Sequence, residues 1–169
     1  MGLNRAERRR REREERKKEK ASGAASPVGH AVELTGEIID HKCHAPVTLS
    51  DPFAKGPQAG LTIEALIDTG ATHSCIEERV VKKLGLRTIG HLKMQVADGG
   101  VQERPVVAVT VGFTASDGQL ISRKIQAAVV PHTAGYVMLF GMDPLMGGIL
   151  TVDGTKGTWK WCIPWQLVK

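Results

Sequence analysis

Leu61–Leu86 reads LTIEALIDTGATHSCIEERVVKKLGL, with Asp68-Thr69-Gly70-Ala71 at its centre. Upstream of the aspartate, Leu61, Ile63, Ala65 and Ile67 alternate with Thr62, Glu64 and Leu66. A period of two predicts a strand with at least one buried face. The strand carries a carboxylate to its own end, where Gly70 lets the backbone turn sharply. A helix is predicted next. Ser74 and Glu77 have the spacing of a capping box, with Ser74 as N-cap and Glu77 reaching back to it. Glu77 and Glu78 fall in the first turn and Lys82 and Lys83 in the last, as the helix dipole favours. Ile76, Val80, Val81 and Leu84 share one face, and Gly85 supplies the C-terminal stop.

Toward the N-terminus, Ala31 to Asp40 reads as a strand. Ser50 to Gly60 (SDPFAKGPQAG) is rich in Pro and Gly and reads as a loop. Residues 31–67 are therefore expected to form one long hairpin. Beyond the predicted helix, Leu92–Ala97 and Val101–Val111 flank Asp98-Gly99-Gly100, a strong hairpin signal. Ser116-Asp117-Gly118-Gln119 is a turn, and Leu120 to Val130 another strand. Ile149–Val152 and Thr158–Val168 follow as the last strands. Trp159, Trp161 and Trp165 all fall in the second, as core or as a partner surface.

At 169 residues the chain allows one compact domain plus a tail. Hydrophobic residues make up 41% of it and aromatics only 4%, so its core must be mostly aliphatic. No run approaches the roughly 20 apolar residues of a membrane helix, so no membrane partner is expected. The N-terminus lacks an apolar signal core, and Ala6 stands where N-myristoylation wants Ser or Thr. The chain opens on Met1, as an independently translated protein does. Cys43, Cys75 and Cys162 are few and odd in number, which predicts free thiols and a cytoplasmic or other reducing compartment.

The net charge of +5 has a location: Arg5–Lys20 (RAERRRREREERKKEK) holds ten basic and five acidic residues. The remaining residues carry thirteen of each sign. The tail has no apolar face, but Glu7–Arg11, Glu12–Arg16 and Glu14–Lys18 are favourable helical pairs. It solubilises the chain, or it binds nucleic acid or another acidic partner by releasing counterions. Ala21–Gly29 (ASGAASPVG) is a linker of small residues. The expected organisation is a tail and linker over 1–29 and a folded domain over 30–169. His41, Cys43 and His44 lie too close together to surround a tetrahedral ion, and no second ligand pair follows at zinc spacing. Neither metal nor cofactor is expected.

A strand, then D-T-G-A, then a short helix ending near L-G-L resembles the retropepsin-like aspartic proteases. A second segment, Tyr136-Val137-Met138-Leu139-Phe140-Gly141-Met142-Asp143-Pro144-Leu145, is similar to the hydrophobic-hydrophobic-glycine segment of retrotransposon-type members. Glycine at 141 would let that strand pass close under the Asp68 loop. Asp143 reads as the N-cap of a short helix with Pro144 at N1. The resemblance spans about residues 31–163. It implies an all-β fold, a retropepsin-like closed β-barrel lobe with two short helices, active as a homodimer.

Metal-free peptide hydrolysis needs an activated water and a proton donor. Two adjacent carboxylates sharing one proton supply both, because two like charges so close cannot both ionise. This chain has one D-T-G and no second D-T-G or D-S-G. A symmetric dimer would bring two Asp68 side chains together on its axis. The resemblance implies that Thr69 hydroxyls brace the pair across that axis, and that Gly70 orients the carboxylates. It also implies a peptide cleft lined by Ala71, by Asp98, Gly99 and Gly100 on a flap spanning Met94–Glu103, and by Met138, Leu139 and Phe140. The activity implied is that of an aspartic endopeptidase on peptide or protein substrates. The rival class is a non-catalytic retropepsin-like module kept for dimerisation, its basic tail binding nucleic acid or a partner. His73 and Cys75, two residues apart, do not face each other on a helix and are not expected to form a thiol nucleophile pair.

Overall fold

The computed structural model describes residues 31–56, 59–96, 99–131 and 135–164. Ten strands join in one sheet: β1 (Ala31–Ile39), β2 (Lys42–Ser50), β3 (Leu61–Ile67), β4 (Cys75–Glu77), β5 (Thr88–Gln95), β6 (Val101–Thr114), β7 (Leu120–Val130), β8 (Met138–Phe140), β9 (Ile149–Asp153) and β10 (Thr158–Pro164). Among the described residues two short helices interrupt them, α1 (Glu78–Leu84) and α2 (Met142–Leu145). Six of the strands close on themselves in the order β2-β3-β8-β4-β7-β6, with β6 returning to pair with β2. β5 extends β6 into an outer hairpin. β1 leaves β2 to pair with β10, which pairs in turn with β9. The fold is thus the expected all-β barrel with two short helices.

Aliphatic residues fill the barrel, among them Leu49, Ile76, Val107, Val109, Val111 and Met138, each fully buried. The few aromatics cluster. Phe113 lies 5.7 Å from Phe140 and 5.9 Å, edge on, from Trp161. Trp159 is also buried and donates its indole N–H to the His44 carbonyl at 2.9 Å. These two tryptophans are core; Trp165 lies outside the described residues.

The N-terminal third departs from the single hairpin expected over residues 31–67. It is a three-stranded meander, because a two-residue turn at Asp40-His41 separates β1 from β2. Both turn residues have positive φ, 49° and 63°, the geometry a tight hairpin demands. Pro46 argues against a strand in the sequence, since it cannot donate to a ladder. Its position explains the exception. β1 flanks β2 only at Lys42 and Cys43, and β6 only at Thr48–Ser50. Pro46 lies between, where β3 alone is paired with β2.

The capping box is overturned. Cys75–Glu77 is strand, α1 starts at Glu78, and Glu77 occupies the N-cap with no side-chain cap bond. β4 must thread between β7 and β8, so the residues after Ser74 stay extended. The ladder outweighs a local cap worth about 1 kcal/mol. Ile76 therefore belongs to the barrel and not to the helix face. The C-terminal stop is as read. Gly85 takes φ 65°, its N–H meets Lys82 O at 3.3 Å, and Leu86 N–H meets Val81 O at 3.0 Å, a Schellman closure with Leu86 buried beneath it.

Candidate active site

β3 ends one residue before Asp68, and the chain then turns through Thr69, Gly70 and Ala71. Each side of this loop is tied to the β8–α2 segment. The Asp68 N–H donates to Phe140 O at 2.8 Å, and the Met142 N–H donates to Ala71 O at 2.8 Å. Within the loop, the Gly70 N–H donates to Asp68 Oδ1 at 2.9 Å, and the Ala71 N–H to Asp68 O at 3.2 Å. The carboxylate is half-buried, and one of its oxygens has a fixed partner. Thr69 is exposed, and its side chain has no hydrogen-bond partner among the described residues.

Gly141 is required where the two segments meet. A Cβ there would stand 2.5 Å from His73 C, 2.7 Å from His73 O and 2.9 Å from Ala71 O. Only glycine lets β8 lie so close to the loop backbone.

Asp143 has a different part from the cap expected of it. Gly141 is the N-cap of α2, which starts at Met142, so Pro144 is not at N1. The Asp143 carboxylate instead reaches the loop. Its Oδ1 accepts the Ser74 N–H at 2.9 Å and the Ser74 hydroxyl at 2.8 Å. The same hydroxyl accepts the Gly141 N–H at 3.2 Å. Ser74 is fully buried, so each of its polar groups needs such a partner. Ser74 and Asp143 were both misassigned to helix caps in the sequence. Their true link joins residues 69 positions apart, a distance no local pattern reports.

Cys75 follows directly and is buried. Burial pushes its thiol pKa up, and the Asp143 and Asp68 carboxylates push it further, against a smaller lowering by Arg104. A protonated, buried thiol is no nucleophile.

The sequence-derived cleft residues separate into three groups. Ala71 sits in the loop, half-buried. Gly99 and Gly100 lie at the β5–β6 turn, where Gly99 has φ 83° and the Val96 N–H donates to Gly100 O at 2.9 Å. Asp98 lies outside the described residues. Met138 and Phe140 do not face a cleft. They are 0% and 1% exposed and point into the core. Strand alternation leaves Leu139, partly exposed, as the β8 side chain open to a ligand. A cleft of about 390 Å³ runs beside the loop, between His73, Ser74 and Asp143 on one side and His91, Leu92 and Val106 on the other. His73 and His91 had no place in the sequence-derived site.

No helix among the described residues is long and apolar enough to cross a membrane. All three cysteines are free.

Residues 55–146, just over half of the chain, match the family of gag-polyprotein putative aspartyl proteases. Among solved structures, the chain is similar to a retropepsin-like aspartic protease from Rickettsia conorii. The two are 14% identical, with a TM-score of 0.51, and the match covers 79% of this chain and 93% of that one. It is also similar to the retroviral protease-like domain of Ddi1 from Leishmania major, at 15% identity and a TM-score of 0.39, covering 68% of this chain and 82% of that one. No curated protein matches. On the span of the family match and on the architecture described above, this chain belongs to the gag-polyprotein putative aspartyl protease family and has the retropepsin-like fold.

Proposed function

We propose that this protein is an aspartic endopeptidase whose active site is assembled from two copies of the chain. The observation that carries the reading is the Asp68 loop. It presents a half-buried carboxylate, oriented by the Gly70 N–H and held at both ends by β8 and α2. One such loop is half of a site. A two-fold axis beside it supplies the second carboxylate, and the two then share one proton. The ionised carboxylate takes a proton from a water between them, and the protonated one donates to the carbonyl oxygen of the peptide. The water oxygen bonds to the carbonyl carbon; as the tetrahedral intermediate collapses, the carboxyl that took the water's proton gives it to the departing amide nitrogen, the C–N bond breaks, and a hydroxyl proton of the intermediate returns to the other carboxylate. The free Thr69 hydroxyl is available to hydrogen-bond to its counterpart across the axis. Leu139 and the glycines of the β5–β6 turn are the remaining candidates for contact with a peptide.

The test is Asp68→Asn, which keeps the size and most hydrogen bonds of the side chain but cannot hold the shared proton. Cleavage of a peptide library is expected to fall to background while the dimer persists. A variant that cleaves at the wild-type rate would reduce D-T-G to a structural turn. Dimerisation without cleavage in the wild type would favour the non-catalytic module.

A further inference from the structure

The β5–β6 hairpin has two unlike faces. Successive residues of a strand alternate between faces, and residues opposite each other in an antiparallel ladder share one. Met94 stands opposite Gln102, and Leu92 opposite Arg104. These four side chains are partly covered, and Val106, next along the same face, is buried. On the other face Lys93, Gln95, Val101 and Glu103 are exposed. Leu92 and Val106 line the cleft across from His73, Ser74 and Asp143. Arg104, opposite Leu92 and two residues before Val106, therefore stands on the cleft side of the hairpin. The surroundings of Cys75 agree. The charged groups that bear on its thiol are Asp143, Asp68 and Arg104, so the guanidinium shares a side of the barrel with the Asp68 loop.

The fold gives no reason for an arginine at this position. An aliphatic side chain opposite Leu92 would cover the same surface with no charge to desolvate. One arm of the guanidinium donates to Gln102 Oε1, and Nε is buried without a partner. Arg104 makes no ion pair among the described residues. The nearby carboxylates are engaged elsewhere: Asp68 Oδ1 accepts the Gly70 N–H, and Asp143 Oδ1 accepts two bonds from Ser74. A guanidinium presents its donors in a planar fork that fits a carboxylate through two parallel bonds.

We propose that Arg104 is a specificity-determining residue, whose guanidinium takes the carboxylate of an aspartate or glutamate side chain in the bound peptide. The proposal rests on the endopeptidase reading above and names the kind of substrate that site selects. Asp68 and Asp143 put negative charge along the cleft, and like charges brought together there would repel an acidic peptide. Arg104 reverses that balance at one position. An acidic side chain pairs with it, whereas the neutral amide of the same shape leaves the cation without a counter-charge. Gln102 holds one arm of the fork and leaves the rest of it to the ligand.

Digestion of a mixed peptide library by the full chain, read by mass spectrometry, tests this. Cleaved sites are expected to be enriched in Glu or Asp at one position near the scissile bond. A matched pair of peptides, Glu against Gln at that position, should then differ at least about tenfold in kcat/KM. Arg104→Met keeps the length of the stem and should bring that ratio to about one. Arg104→Lys keeps the charge without the fork and should restore part of it. The ratio is read within one preparation, so a variant that is only partly folded still reports it. A wild type with no acidic preference overturns the assignment and leaves the endopeptidase reading standing. So does an Arg104→Met protein that loses kcat/KM equally for both peptides, since Arg104 is then structural. If the wild type cleaves no peptide at all, both readings fall.

Discussion

The Asp68 carboxylate accepts the Gly70 N–H, and a Cβ at position 70 would stand 3.2 Å from the same oxygen. Gly70→Ala therefore presses on the carboxylate while its own surface stays exposed. The expected outcome is a fall of at least about tenfold in kcat/KM with a stability change below about 1 kcal/mol. Peptidase kinetics beside a urea titration separate the two effects. Ser74 is the opposite case, because it is fully buried and far more structural. Ser74→Ala removes the donor to Asp143 and the acceptor for the Gly141 N–H. Its cost in the same titration is expected to be about 1–3 kcal/mol. Cys75 adds a pH dependence. Its folded pKa lies above its unfolded one, so at high pH the unfolded chain ionises first. The resulting stability is present below the unfolded thiol pKa and is lost as pH rises through it toward the folded value. Denaturation midpoints should fall above roughly pH 8.5, and more steeply in wild type than in Cys75→Ala.

β8 and α2 are the elements on which the site depends, and Gly141 is the hinge between them. Gly141→Ala drives a methyl into the backbone of His73 and Ala71. A loss of about 3 kcal/mol or more is expected, together with loss of activity. Gly85→Ala is the control. Its Cβ would meet nothing, and only the φ of 65° opposes it, for about 1 kcal/mol with activity unchanged. Gly141 and the strand before Asp68 were legible in the sequence, because periodicity and a close backbone approach leave marks on residue type. Leu120–Val130 was legible to its last residue for the same reason. What failed was local chemistry serving a distant partner. Ser74, Glu77 and Asp143 have the composition of helix caps, and capping motifs are read within four residues. Here the ladder of β4 with β7 and β8 takes precedence, and the Asp143 carboxylate goes to Ser74 instead. Met138 and Phe140 show a related limit. An apolar strand beside a D-T-G motif reads alike whether it lines a cleft or fills a core, and only alternation across β8 separates Leu139 from its neighbours.

At the scale of the whole chain, the excess charge and the described strands occupy different stretches. Arg5–Lys20 carries ten basic and five acidic residues, against thirteen of each sign elsewhere. The described strands start at Ala31, and β1 is locked to β10 from Ala31 to Glu37. A truncation that starts at His30 keeps that entire ladder and removes the excess charge. It should unfold with the same cooperative thermal midpoint as the full chain. A lost or broadened transition would mean that residues 1–29 belong to the folded unit. The same pair of proteins tests the tail against acidic polymers. Where a tail neutralises several phosphates, affinity for duplex DNA falls steeply with salt, by nearly one logarithmic unit per phosphate for each decade of salt. The neutral truncated chain should show neither the affinity nor the slope. If full-length protein behaves like the truncation in this assay, the tail is a solubilising segment, and the electrostatic partner is excluded without touching the reading of Asp68.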